Sequence, residues 1–124
     1  MKEIISTPNA PAAIGPYSQG VSTSDLIFTS GQLPLDPKTG ELVTEIKAAT
    51  RQALENCKAI VEKAGSSLDK AVKVTVLMRD INDFAAMNEV YAEFFKNNPP
   101  ARSAFQVAAL PKGGILEIEV TAVK

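Results

Sequence analysis

An arginine and a glutamate near the C-terminal end carry the strongest chemical signal in this chain. Pro99-Pro100-Ala101-Arg102-Ser103 runs into an apolar stretch, and Ile115-Leu116-Glu117-Ile118-Glu119-Val120 follows it. Arginine presents a planar fork of N–H donors that matches a carboxylate, and it stays charged at any ordinary pH. Set among Ala104, Phe105, Val107 and Ala109, it requires a partner, because burying an unpaired charge is costly. That partner is either a carboxylate of the protein or a small anion. Leu116, Ile118, Val120 and Ala122 alternate as one apolar strand face, so Glu117 and Glu119 point the other way. Their face is wet, or part of an interface or cleft. From geometry alone the Arg102 and Glu117 signal reads equally as a structural ion pair, since ion-pair networks mimic sites.

The rest of the inventory narrows the chemistry. There is no histidine, which removes Ser-His-Asp and Cys-His catalysis and histidine-based metal sites. One cysteine excludes an intramolecular disulfide framework and any multi-cysteine zinc site. Chemistry must run on Glu, Asp, Tyr, Arg, hydroxyls, backbone groups and water. A net charge of −1 and a pI near 5.4 give no electrostatic footprint for nucleic acid. No apolar run is long enough to cross a bilayer. The stretch Met1-Lys2-Glu3-Ile4-Ile5 carries no signal-peptide pattern, so the expected location is the cytoplasm.

Weaker signals accompany the pair. Gly15-Pro16-Tyr17-Ser18-Gln19-Gly20 is followed by Val21 rather than Lys, so it is no Walker A loop, and its Gly and Pro set turns. Tyr17 reads as a half-buried strand residue or a cleft aromatic. Ser30-Gly31 ends a strand where glycine permits either a bend or close backbone approach to a ligand. Asn88 sits mid-helix among large apolar residues, exposed or buried for a hydrogen bond. Cys57 falls on an apolar helix stripe and reads as a small core residue.

These residues need elements to hold them. The 124 residues suffice for one domain, 1–124, with an ordinary composition of 45% hydrophobic and 22% charged residues. Tyr17 to Val21 and Leu26 to Ser30 read as strands around a Ser22–Asp25 turn. Pro34, Pro37 and Gly40 mark an irregular loop. Ile46, Ala49, Ala53, Cys57, Ile60, Val61 and Ala64 recur at helical spacing, with Gly65 as the stop. Ala71 to Met78 is a strand with Val72, Val74 and Val76 on one face. Asp80 or Asn82 caps a second helix carrying Phe84, Met87, Tyr91, Phe94 and Phe95. Strands over about Ser103 to Leu110 and Ile115 to Val123 complete a β-β-α-β-α-β-β order, with room for one more strand at the N-terminus. Two helices on one face of a mixed sheet is the economical packing. If the last two strands form a hairpin, Glu117 lies opposite Val107, ~17 Å from Arg102 at ~3.3 Å per residue. The two would then meet on one small substrate only across a subunit boundary.

Pro100-Ala101-Arg102-Ser103-Ala104-Phe105-Gln106-Val107-Ala108-Ala109-Leu110-Pro111, followed by Glu117-Ile118-Glu119, resembles the signature of the RidA (YjgF-type) family. Asn9 through Gly20, Ser30-Gly31-Gln32-Leu33-Pro34 and Asp83-Phe84 through Asn88 resemble it as well, so the likeness spans essentially the whole chain. The resemblance implies a chorismate-mutase-like α+β fold, assembled as a homotrimer with clefts between subunits. It implies hydrolysis of reactive 2-imino and enamine acids, released by pyridoxal-phosphate dehydratases, to 2-oxo acids and ammonia. The implied substrates are 2-iminobutanoate and 2-iminopropanoate, for whose hydrolysis no metal or organic cofactor is needed; charge and hydropathy, not the resemblance, argue against nucleic-acid and membrane partners. Arg102 would clamp the substrate carboxylate, helped by the Gly31 N–H, and Glu117 would orient the attacking water. Tyr17, Ser30 and Asn88 would shape the cleft. Many relatives carry cysteine two residues after the arginine, where this chain has Ala104; a nucleophilic thiol there is impossible. The rival readings are a non-catalytic small-acid sensor or chaperone-like protein, which needs no water-activating carboxylate, and an endoribonuclease. Acidic pI and absent histidine count against the latter.

Overall fold

The computed structural model describes residues 1–124 as a six-stranded sheet with two helices against one face. The strands are β1 (Glu3–Ile5), β2 (Gly20–Ser22), β3 (Leu26–Thr29), β4 (Ala71–Met78), β5 (Ala101–Gln106) and β6 (Leu116–Val123). They lie in the order β1-β2-β3-β6-β4-β5, antiparallel except for the parallel pair β4 and β5. The helices are α1 (Ile46–Lys63) and α2 (Phe84–Phe94).

The α1 segment forms because its apolar stripe has a sheet to cover. Ala49, Ala53, Leu54, Cys57, Ile60 and Val61 are all fully buried. Glu45 caps the helix, its carboxylate accepting from Lys47 N at 2.8 Å and Ala48 N at 3.1 Å. Gly65, at φ +88°, turns the chain away just past the last turn. Beneath it, Leu116, Ile118, Val120 and Ala122 are fully buried, as their alternation requires. The thiol of Cys57 donates to Ile118 O at 3.3 Å, and burial pushes its pKa up to about 12. It is a core residue with no thiolate at neutral pH.

The last two strands are not a hairpin. β4 lies between them, pairing antiparallel with β6 and parallel with β5. The physical reason is that a strand-helix-strand run, here β4-α2-β5, favours a parallel crossover. The eight-residue β4 buries Val74, Val76 and Met78 completely, and gains a hydrogen-bonded neighbour on each side. β5 ends at Gln106 rather than Leu110, because its partner β4 ends at Met78; Val107 N makes the final bond, to Met78 O. Val72 leaves the face of Val74 and Val76: a register shift between Ala71 and Lys73 leaves it 44% exposed. Tyr17 lies before β2, outside the strand. Asp80 does cap, accepting from Asn82 N at 2.9 Å, but it caps the 3₁₀ turn Ile81–Asp83 that leads into α2.

No helix covers the second face of the sheet. Phe28, Phe105 and Val123 stand on it, each between 39% and 48% exposed. No helix is long and apolar enough to cross a membrane.

A candidate active site in two halves

Sheet register places Arg102 and Glu117 on opposite faces. Arg102 shares a row with Val74 and Val120, both buried beneath the helices. Glu117 shares a row with Leu77 and Phe105, on the uncovered face. Three positions along the strands and two strand spacings separate their Cα atoms, about 14 Å in a regular sheet. Within one chain they cannot grip one small molecule. The hairpin that suggested an intersubunit meeting is absent; the opposite faces are a separate ground for expecting one if the two residues act on the same ligand.

The first half centres on Arg102. Its Nη1 donates to Asn88 Oδ1 at 2.7 Å. Its Cζ lies 4.6 Å from the Tyr91 ring centroid and 5.2 Å from that of Phe84. The chain's three ion pairs are Lys47 with Glu89, Arg51 with Glu93 and Lys58 with Glu62, so none involves Arg102. The structural ion pair that the sequence left open is absent, and the half-buried guanidinium is held by neutral groups alone.

The second half is a cavity of about 490 Å³ whose walls include Tyr17, Ser30, Gly31, Leu33, Pro111, Lys112 and Glu117. Gln32 and Ile118 exchange backbone hydrogen bonds at 2.7 and 3.1 Å, which draws Gly31 alongside β6, within reach of the Glu117 side chain. A Cβ built on Gly31 would fall on the Glu117 carboxylate. Any side chain at this position would displace that carboxylate, and the Gly31 N–H makes no hydrogen bond within the chain, so it remains a free donor. Ser30 donates to Ser18 O at 2.5 Å, tying the strand end to the preceding loop. The Tyr17 hydroxyl accepts from Ile14 N at 3.4 Å, at the rim.

Gln19 fixes the loop that forms one wall. Its buried amide accepts from Thr7 N at 2.6 Å and donates to Thr7 O, Ala10 O and Pro11 O at 3.0, 3.2 and 2.8 Å. Gln19→Leu leaves these groups unpaired and is expected to cost about 2–3 kcal/mol. Denaturant melts and faster proteolysis within residues 7–16 are the measurements.

Burial raises the pKa of Glu117 above the usual carboxylate value, and the neighbouring Glu119 charge adds to the effect. The folded state therefore binds more protons than the unfolded one between the ordinary and the raised value. Stability attributable to this group falls as pH rises through that window. Glu117→Gln is expected to raise the melting temperature at neutral pH, with the difference vanishing towards pH 4; melts across that range check it.

The six residues singled out in the sequence thus fall into two groups. Tyr17, Ser30, Gly31 and Glu117 line one cavity, while Asn88 and Arg102 bond to each other elsewhere. The sequence reading did not give Phe84 and Tyr91 any part at Arg102. Their spacing with Asn88, one polar residue between two aromatics along a helical stripe, was the available signal. Lys112, at φ 59° in the Pro111–Gly113 turn, was also missed.

A six-stranded mixed sheet under two helices, with an arginine free of any carboxylate partner on one face and a cavity-lining glutamate on the other, defines a small α+β protein. Residues 7–124 match the family model described as Endoribonuclease L-PSP, and the chain belongs to that family, whose solved members carry the names YjgF and RidA. A RutC family protein of Pyrococcus horikoshii is 57% identical over 125 residues, covering 100% of this chain and 99% of that one. The 2-iminobutanoate/2-iminopropanoate deaminase of Escherichia coli is 51% identical over 127 residues, covering 100% and 99%. The crystal structure of Escherichia coli TdcF with bound serine superposes with a TM-score of 0.96 at 50% identity, covering 98% of each chain.

Proposed function

We propose that this chain is a 2-iminobutanoate/2-iminopropanoate deaminase, working in clefts between the subunits of a homotrimer. Each cleft takes Arg102 from one subunit and the Glu117 cavity from its neighbour. Arg102 clamps the substrate carboxylate with the free edge of its fork, and the Gly31 N–H adds a donor. Glu117 orients a water towards the C=N carbon and accepts its proton as the C–O bond forms. The proton passes to nitrogen, the carbinolamine collapses, and ammonia and the 2-oxo acid leave. An iminium carbon is already electrophilic, so positioning and a weak base suffice without histidine.

The observation that carries this reading is the half-buried Arg102 guanidinium with no carboxylate partner of its own. The exposed aromatic and aliphatic side chains on the helix-free sheet face favour self-association. The identity to a relative named as the deaminase favours the reaction. The test couples the purified protein to a threonine dehydratase and follows 2-iminobutanoate decay. Acceleration by the native protein that disappears in Arg102→Ala is expected; no acceleration by the native protein ends the enzyme reading.

The family model's description favours RNA cleavage as a second reading. The chain offers no histidine and a net charge of −1 for it. RNA cleavage that survives extensive purification and is lost in Arg102→Ala would put it first.

A further inference from the structure

A guanidinium on a flexible stem grips a carboxylate well only when its plane is fixed beforehand. In this chain Phe84, Asn88 and Tyr91 surround Arg102, and they stand at i, i+4 and i+7 of α2, on one helical stripe. Asn88 occupies Nη1 of the fork, and the two ring faces meet the cation at 5.2 and 4.6 Å. Ring faces attract a cation without neutralising it. A carboxylate in the same place would hold Arg102 equally well, but would compete with the ligand. The acids that α2 does carry, Glu89 and Glu93, are engaged by Lys47 and Arg51 of α1.

We infer that this stripe is the device that orients Arg102 for carboxylate capture, with Phe84 and Tyr91 as positioning residues acting through their ring faces. The inference rests on the reading of Arg102 as the carboxylate clamp. It also recasts Asn88, expected from the sequence to line the cleft, as a group that acts on the arginine. The Tyr91 hydroxyl is buried and has no partner within the chain, so only its ring is enlisted here.

Four variants separate ring faces from mere packing: Phe84→Tyr and Tyr91→Phe keep them, and Phe84→Leu and Tyr91→Leu remove them. The readouts, on the intact protein, are 2-oxobutanoate binding by calorimetry, steady-state kinetics, and the Arg102 Nε–H resonance. Each leucine variant is expected to bind 2-oxobutanoate about tenfold more weakly. KM should rise with kcat little changed, because the carboxylate is gripped equally before and during reaction. The ring-preserving variants should stay within about twofold of wild type. The Nε–H signal should move towards its random-coil position in the leucine variants only.

Leucine variants that bind like wild type and keep the wild-type resonance overturn the inference, as does a Tyr91→Phe loss equal to that of Tyr91→Leu. Phe84 is only partly buried, so Phe84→Leu carries the test if Tyr91→Leu does not fold. Should wild type neither bind 2-oxobutanoate nor accelerate imine decay, the deaminase reading falls, and the resonance alone decides on the cradle.

Discussion

Arg102→Ala and Glu117→Gln subunits, each inactive by itself, are expected to regain about a quarter of the wild-type rate when denatured together and refolded as an equal mixture. The figure follows from the register. Arg102 lies on the helix-covered face and Glu117 on the bare one, so under the proposed arrangement neither chain completes a site alone. In the proposed ring each cleft draws its arginine side and its glutamate side from different subunits. Half the arginine sides and half the glutamate sides in the mixture are intact, and they combine independently. Each pure variant should retain less than about 1% of kcat/KM, the loss of a charge-assisted clamp or of the water-orienting base. Imine decay measured across a titration of mixing ratios should trace a parabola with its maximum at equal proportions. A flat line at zero would mean that the two residues do not share a cleft.

Gly31→Ala should be the most damaging single-methyl change in the protein, lowering kcat/KM by about a hundredfold or more while leaving the fold intact. The methyl would occupy the space of the Glu117 carboxylate. The backbone cannot retreat cheaply, because Ser30 N is bonded to Gln19 O at 2.8 Å and Gln32 is bonded to Ile118 on the other side. The carboxylate has to swing away. Thermal unfolding within a few degrees of wild type would show that the damage is local. The sharper measurement is the double variant: introduced into Glu117→Gln, the same methyl should cost little further activity, since the group it displaces no longer acts as a base. Equal losses in both backgrounds would place the effect elsewhere.

Elements governed by local periodicity were legible in the sequence. The α1 stripe through Ala53, Cys57 and Ile60, the Gly65 stop, and the face of Leu116, Ile118, Val120 and Ala122 all follow from spacing. Partner choice between strands was not, because it depends on contacts far apart in sequence. β6 pairs with β3 and β4 rather than with the strand just before it. The Val72 bulge was hidden for the same reason: alternation predicts its side until a residue is left unpaired. At the site, Arg102 and Glu117 declared themselves by chemical type against an apolar background. Gly31 carried an ambiguity between a bend and close approach to a ligand; what the structure sets against it is the Glu117 carboxylate, which neither alternative named. Phe84 and Tyr91 looked like ordinary core aromatics, since nothing in a helical stripe says that a strand will bring a cation to it.

The placement of the two charged residues on opposite sides of one sheet has a genetic corollary. Under the proposed arrangement, every copy serves two neighbours, lending an arginine to one cleft and a glutamate to another. A copy defective in both would silence two of a ring's three clefts, not one. Such an allele, expressed beside the normal gene, would act as a dominant poison, whereas an allele that fails to fold would merely be missing.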